Sequence, residues 1–175
     1  MSEFIFKKLK NVILEVGPSN VVQVCMDTAA NCIGAGELIE EKWKHIFYTR
    51  CACHCLDLLF EDIGKIGWIA KVLEDATKIV TFVTRKSTVL AIFRELSKKD
   101  LVKPAATRFA YFFIMLANVL DERCMQGVRK LMVHDKFTKM KASKTSKALE
   151  VYDIVFNASF RQEALHCVQH TDPLG

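Results

Sequence analysis

A short apolar run that ends on an acidic residue is the feature that most constrains the fold of this chain. Residues 21–26 read Val-Val-Gln-Val-Cys-Met, and Asp27 follows them directly. A strand that is apolar on both sides predicts a sheet covered by helices on both faces. An acidic side chain at the carboxyl end of such a strand lies where α/β proteins hold metal ions and phosphates. Asp27 is therefore the first candidate functional residue.

The segments around Asp27 follow a strand–helix–strand–helix order. Helical spacing of apolar residues covers 31–43, a short apolar strand covers 46–48, and helical spacing returns over 53–63. This alternation predicts a parallel sheet. Two strands do not make a stable open sheet alone, so we expect residues 1–66 to be a partial α/β domain.

The second part of the chain, residues 67–175, has a helical pattern. Apolar residues recur at helical spacing in four stretches, which are 69–83, 89–96, 109–133 and 148–156. The third stretch predicts one long helix. Residues 136–147 are polar and predict a loop or a frayed helix. The expected fold class is α/β plus α.

Positive charge is concentrated in one segment, residues 129–147. It contains seven basic side chains and one acidic side chain, Asp135, so it carries +6 in a chain whose net charge is +5. The basic residues are Arg129, Lys130, Lys136, Lys139, Lys141, Lys144 and Lys147. Such a stripe suits a polyanion such as DNA. A solvated linker kept soluble by lysine explains the same charges without a ligand.

Cysteine usage and hydropathy indicate an intracellular protein. The seven cysteines are odd in number and irregular in spacing, and Cys51, Cys53 and Cys55 are too crowded for an ordinary disulfide framework. No apolar run reaches the roughly 20 residues that a membrane span needs. The first residues lack the charged-then-apolar order of a secretory signal. No membrane partner is expected.

Several stretches, taken in order, resemble the hAT superfamily of transposases, and in particular the plant proteins with a transposase-like domain of unknown function. They are residues 21–31 (VVQVCMDTAAN), 51–58 (CACHCLDL), 61–66 (EDIGKI), 102–110 (VKPAATRFA) and 154–174. The chain departs from the family's usual pattern at two places. It has Met26-Asp27-Thr28 where the family shows Thr-Asp-Asn, and Arg161 where a Trp is common.

The resemblance implies a partial ribonuclease-H-like core followed by a helical insertion region. Active members of the family hold two Mg²⁺ ions with three acidic residues, and they cut and join DNA by two-metal phosphoryl transfer. Asp27 matches the second acid, and the other two would lie before Met1 and beyond Gly175. We therefore expect a truncated or domesticated relative, nuclear by resemblance, that is not an enzyme as it stands. Mg²⁺ would bind Asp27 only in an intact relative.

The resemblance also singles out Cys51, His54 and Arg108. Cys51 and His54 match the family's Cys-x-x-His element, which lies close to the active site. Arg108 matches the arginine of a Thr-Arg-Phe segment, and either a DNA phosphate or a nearby acid, Asp121 or Glu122, is a suitable partner for it.

Each candidate site has an alternative interpretation. Asp27 suits the N-cap of the following helix as well as it suits a metal. Cys51, Cys53, His54 and Cys55 together suggest zinc, but structural zinc usually takes four ligands in two separated pairs, so zinc is not expected.

Three functions therefore remain open. The first is an inactive transposase relative with weak, non-specific DNA binding through Arg108 and the basic residues of 129–147. The second is a protein-interaction or dimerisation module, whose incomplete sheet edge pairs with itself or with a related subunit. The third is a small zinc-binding module.

Overall fold

The computed structural model describes residues 1–104 and 109–171. The chain divides into two compact units, Met1–Leu59 and Phe60–Gly175, called unit 1 and unit 2 below. The division falls inside a helix, slightly before the boundary that the sequence analysis placed between residues 66 and 67. In the part of the chain that the structure describes, no helix is both long and apolar enough to cross a membrane.

Unit 1 contains a small parallel sheet. Its elements in chain order are α1 (Ser2–Val16), a 3-10 helix (Pro18–Asn20), β1 (Gln23–Met26), α2 (Ala30–Lys42), β2 (Phe47–Arg50) and the first part of α3 (Ala52–Gly64). The two strands are parallel, with Gln23 opposite Phe47 and Met26 opposite Arg50. The predicted strand–helix–strand–helix order and the parallel pairing are confirmed, whereas the ribonuclease-H-like core stays a prediction.

Helix α2 packs against both strands and against α1. Ile13, Ile39 and Ile46 are buried at the centre of this packing. Helix α2 comes close to β2 at Gly36, where a Cβ atom would overlap the ring of Tyr48. The absence of a side chain at Gly36 therefore lets the helix lie directly on the strand.

The prediction that β1 is covered on both faces is wrong. Gln23 and Cys25 are exposed and alternate with the half-buried Val24 and Met26. This is the period of two that a strand with one covered face shows. The uncovered face of the sheet also carries Phe47 of β2, and the Phe47 side chain is 60% exposed.

Unit 2 is a bundle of helices around one core. Its elements are the end of α3, α4 (Gly67–Arg85), α5 (Ser87–Leu96), α6 (Ala110–Leu120), α7 (Glu122–Val133), α8 (Asp135–Thr138), a 3-10 helix (Lys141–Lys144), α9 (Ser146–Phe156) and α10 (Ala158–Thr171). Helix α4 contacts α5, α6, α9 and α10, so it is the central helix of the described bundle. The fully buried side chains of the bundle include Phe93, Leu116 and Leu131.

The single long helix predicted over 109–133 is wrong, because the chain turns at Asp121 between α6 and α7. The Asp121 carboxylate accepts a hydrogen bond from the Arg123 backbone N–H at 3.0 Å and caps α7. It also pairs with Lys99 Nζ at 2.7 Å. Hydrogen bonds from the Arg123 and Lys99 side chains hold the pKa of the Asp121 carboxyl well below its usual range. A capping carboxylate thus starts a new helix where apolar spacing alone suggests continuation.

The polar segment 136–147 has more order than the sequence predicts. It forms α8 and the second 3-10 helix, and it is held to the core of unit 2 by the buried side chains Phe137 and Ala142. Most of its other side chains face solvent. Two apolar residues among many lysines give too little periodicity for a helix to be predicted from sequence.

Candidate functional site

The carboxyl ends of β1 and β2 lie at the same edge of the sheet, because the strands are parallel. Asp27 follows β1 there, and Cys51 follows β2. The Cys51 backbone N–H donates to the Met26 carbonyl oxygen at 2.7 Å, which extends the strand pairing to this edge. The structure therefore brings Asp27 and the start of the Cys51–His54 element to one place within unit 1.

The Asp27 side chain is exposed, and its carboxylate accepts two hydrogen bonds. One comes from the Ala29 backbone N–H at 2.9 Å, and the other comes from the Cys32 thiol. The Tyr48 hydroxyl donates to the Asp27 backbone oxygen at 3.3 Å. The pKa of the Asp27 carboxyl is held below its usual range. The main cause is the Ala29 hydrogen bond, followed by the Cys32 hydrogen bond and the nearby His54. The carboxylate is thus stabilised in its charged form.

Asp27 shapes the turn before α2, but it is not the N-cap of that helix. The N-cap position is held by Ala29, whose carbonyl oxygen accepts from the Cys32 and Ile33 backbone N–H groups. The same carboxylate raises the pKa of the Cys32 thiol, since a proton on sulfur is needed for the hydrogen bond. Cys32 is therefore a poor nucleophile in this setting, because the thiolate is the reactive form.

The described side chains at this edge of the sheet do not form a metal-binding group. Within residues 1–104 and 109–171, no group of three or more His, Cys, Asp or Glu side chains is placed to hold a metal ion. Cys53 and Cys55 are exposed on α3, and all seven cysteines are free thiols. Asp27 as a magnesium ligand in a complete parent protein stays a prediction.

Arg108 lies outside the described residues. The two acids considered as its partners have other contacts. Asp121 pairs with Lys99 and Arg123, and Glu122 lies 3.5 Å from the guanidinium of Arg161.

The seven basic residues of 129–147 fall into two groups. Arg129 is half-buried, and its guanidinium contacts the Val155 carbonyl oxygen at 3.4 Å, which links α7 to the end of α9. The six lysines are exposed. Lys136 pairs with Glu95 at 2.9 Å. The other five, which are Lys130, Lys139, Lys141, Lys144 and Lys147, make no ion pair with the described residues.

A cleft in unit 2 was not expected from the sequence. It has a volume of about 530 Å³ and lies between α4 and α9. Its polar lining includes Arg85, Lys86 and Lys147, of which only Lys147 belongs to the basic segment that sequence reasoning identified. The available signal was the run of polar residues at helical spacing along one side of α4, which reads equally well as a solvated face.

The first part of the chain is similar to one known protein family. Residues 1–79 match the model of a family described as a domain of unknown function, DUF659. The match spans unit 1 and the first part of unit 2. No curated protein and no solved structure matches the chain significantly.

Proposed function

We propose that this chain is a relative of hAT-type transposases that binds the phosphate backbone of DNA and does not cut it. The DUF659 match supports the relationship, since that family is found in plant transposase-like proteins of the hAT type. The sequence stretches that resemble the superfamily support it independently. DNA binding rests on the basic residues of unit 2, and a nuclear location rests on the family resemblance alone.

The observation that carries the proposal is the basic corner, defined as residues 135–147. Phe137 and Ala142 anchor this corner in the core, while Lys139, Lys141 and Lys144 project from it without ion pairs among the described residues. An ordered group of unpaired cations can approach several phosphates at once. Each phosphate that a lysine neutralises releases a condensed counterion, and this release drives non-specific binding.

The absence of cleavage is proposed from the surroundings of Asp27. Two-metal phosphoryl transfer needs several carboxylate ligands around two ions about 4 Å apart. Asp27 interacts with Ala29, Cys32, Tyr48 and His54, and the described residues include no group of three or more His, Cys, Asp or Glu side chains placed to hold a metal ion. Its carboxylate already accepts two hydrogen bonds that shape the turn before α2.

The test is DNA binding by a variant with Lys139, Lys141 and Lys144 replaced by glutamine. We expect its Kd for a fluorescent duplex, measured by anisotropy at low salt, to rise about a hundredfold, because three phosphate contacts are lost. The matched control replaces Lys7, Lys8 and Lys10 of α1, which removes the same charge from unit 1. Equal Kd values for the two variants would refute the proposal.

A protein-interaction module is the second candidate, favoured by the uncovered face of unit 1. Val22, Phe47, Leu56 and Leu59 are all more than half exposed. The two-stranded sheet is also short of strands that would cover its edges among the described residues. Exposed apolar side chains beside an open sheet edge are typical of surfaces that pair with another chain.

This second candidate predicts self-association that does not depend on salt. We expect light scattering after size exclusion to give a dimer mass at low and at high salt, and a monomer mass for Phe47→Ser. The control is Val16→Ser in α1, a half-exposed position away from the sheet. A monomer in every condition would exclude this candidate.

A further inference from the structure

The cleft between α4 and α9 has two chemically different ends. At one end, Lys78 Nζ contacts Glu74 at 2.7 Å and Glu150 at 2.8 Å, so the acidic side chains are matched by a cation that serves both. These contacts, led by the one with Glu150, raise the pKa of the Lys78 ammonium. This end is therefore occupied by its own ion pairs and has no cation to offer a ligand.

The other end carries cations without partners. Arg85 and Lys86 close α4, and Lys147 lies in the first turn of α9. All three line the cleft and are exposed, and none makes an ion pair with the described residues. The Lys78–Glu150 contact holds α4 and α9 side by side, and Arg85, Lys86 and Lys147 line the same cleft from these two helices.

The floor between the two ends is apolar. Phe82 is half-buried there, and Val151 is buried. The Phe82 ring meets the ring of Phe137 edge-on, with centroids 6.0 Å apart, so its position is fixed by the core. The Thr77 hydroxyl donates its proton to the Leu73 carbonyl oxygen of the same helix, so this proton is not offered to a ligand. A solvated lysine surface would have no such floor.

We propose that this cleft binds a small organic phosphate. The phosphate group would lie between Arg85, Lys86 and Lys147, and its apolar or aromatic body would lie on Phe82. Three cations suit a phosphate monoester, which carries nearly two negative charges at neutral pH, better than a carboxylate with one. A guanidinium also matches phosphate oxygens with paired hydrogen bonds. The volume of about 530 Å³ falls in the range of small-molecule sites.

This inference does not rest on the proposed DNA binding. Arg85 and Lys86 lie outside the basic corner, and Lys147 is the basic residue that the two sites share. A phosphate monoester reaches the cleft from either of two sources, a free metabolite or the 5′-phosphate at the end of a nucleic-acid strand. Both present the same chemical group, so the experiment has to separate them.

The experiment is calorimetric titration of the full chain with adenosine 5′-monophosphate as the probe. We expect saturable binding with one site, and at least tenfold weaker binding of adenosine and of inorganic phosphate, because each lacks half of the matching ligand. Charged hydrogen bonds of this kind are worth about a tenfold change in Kd or more when lost. A 5′-phosphorylated oligonucleotide and its unphosphorylated twin form the second arm. Tighter binding of the phosphorylated oligonucleotide than of its unphosphorylated twin, lost when Arg85 and Lys86 are replaced by glutamine, assigns the site to strand ends.

Two variants locate the binding in the cleft. Replacing Arg85 and Lys86 by glutamine is expected to weaken the nucleotide at least tenfold, whereas replacing Lys139 and Lys141, which removes the same charge outside the cleft, is not. Thr81→Trp should block the cleft without changing charge, since Thr81 is exposed on its wall. Circular dichroism checks that each variant is folded. Equal affinity for all folded variants, or no binding of either phosphorylated probe at millimolar concentration, would overturn the proposal.

Discussion

Replacing Phe137 by alanine is expected to lower the free energy of unfolding of unit 2 by about 3–5 kcal/mol, the usual cost of deleting a buried aromatic ring. Phe137 is 2% exposed, belongs to the core of unit 2 and contacts Phe82 edge-on. It is also the larger of the two buried anchors of the basic corner. Its loss should therefore release the corner as well as weaken the bundle.

Tryptophan fluorescence makes this measurement specific to unit 2. The chain has two tryptophans, Trp43 in unit 1 and Trp68 in unit 2, so Trp43→Phe leaves a single reporter. The Trp68 ring lies 5.5 Å from that of His166, which ties its signal to the packing of α4 against α10. The control is Leu149→Ala, since Leu149 is largely exposed and should change stability by at most about 0.5 kcal/mol. A similar small change for Phe137→Ala would show that the corner is not anchored.

Raising the salt concentration is expected to weaken DNA binding by a factor of several hundred. Five lysines of unit 2, which are Lys130, Lys139, Lys141, Lys144 and Lys147, are exposed without ion pairs among the described residues. If each neutralises one phosphate, the logarithm of the binding constant falls with a slope of about −4.5 against the logarithm of salt. Between about 50 and 200 mM salt this slope corresponds to roughly a 500-fold loss.

The measurement is anisotropy of one labelled duplex at a series of salt concentrations. Substituting Lys139, Lys141 and Lys144 by glutamine should make the slope shallower by about 2.7, and the variant of Lys7, Lys8 and Lys10 should keep the original slope. A second duplex of unrelated sequence should give the same line, because phosphate contacts carry no base information. A slope near zero for the unmodified chain would contradict binding through phosphates.

The elements of unit 1 were predictable because each carries a local signal. Residues 21–26 are apolar except for Gln23 and lie directly before Asp27, and residues 31–43 have helical spacing, so β1 and α2 follow from short stretches of sequence. The covering of β1 was not predictable. The residue type alone does not show whether a helix covers an apolar side chain. Here both Val22 and Cys25 are exposed.

The misses in unit 2 have two physical causes. At Asp121 the apolar spacing favours a continuous helix, but the capping carboxylate ends α6 and starts α7. That carboxylate is held by Lys99, which is distant from it in the sequence. In the basic corner, the order comes from Phe137 and Ala142 inserting into a core built by other helices. Neither effect is visible in the periodicity of one segment, since both depend on tertiary contacts.

The candidate sites divide in the same way. The position of Asp27 at the carboxyl end of a strand was predicted from the apolar run before it, whereas the nearness of Cys51 to Asp27 was expected only from the family resemblance. The Cys32 hydrogen bond to Asp27 depends on the exact turn between β1 and α2, which sequence does not specify. The phosphate cleft was out of reach because it needs α4 and α9, which are far apart in the chain, to lie side by side.

The structure of the basic corner constrains its buried aromatic residue more strongly than its exposed lysines during evolution. Its lysines sit on a four-residue helix and a 3-10 helix, so no long regular surface fixes the spacing of their charges. A lysine lost at one position can be replaced by one at a neighbouring position with little effect on contact with a polyanion. Phe137 has no such freedom, because its ring fills a defined place beside Phe82. Drift of the cations around a retained aromatic anchor is the pattern of substitution that this corner permits.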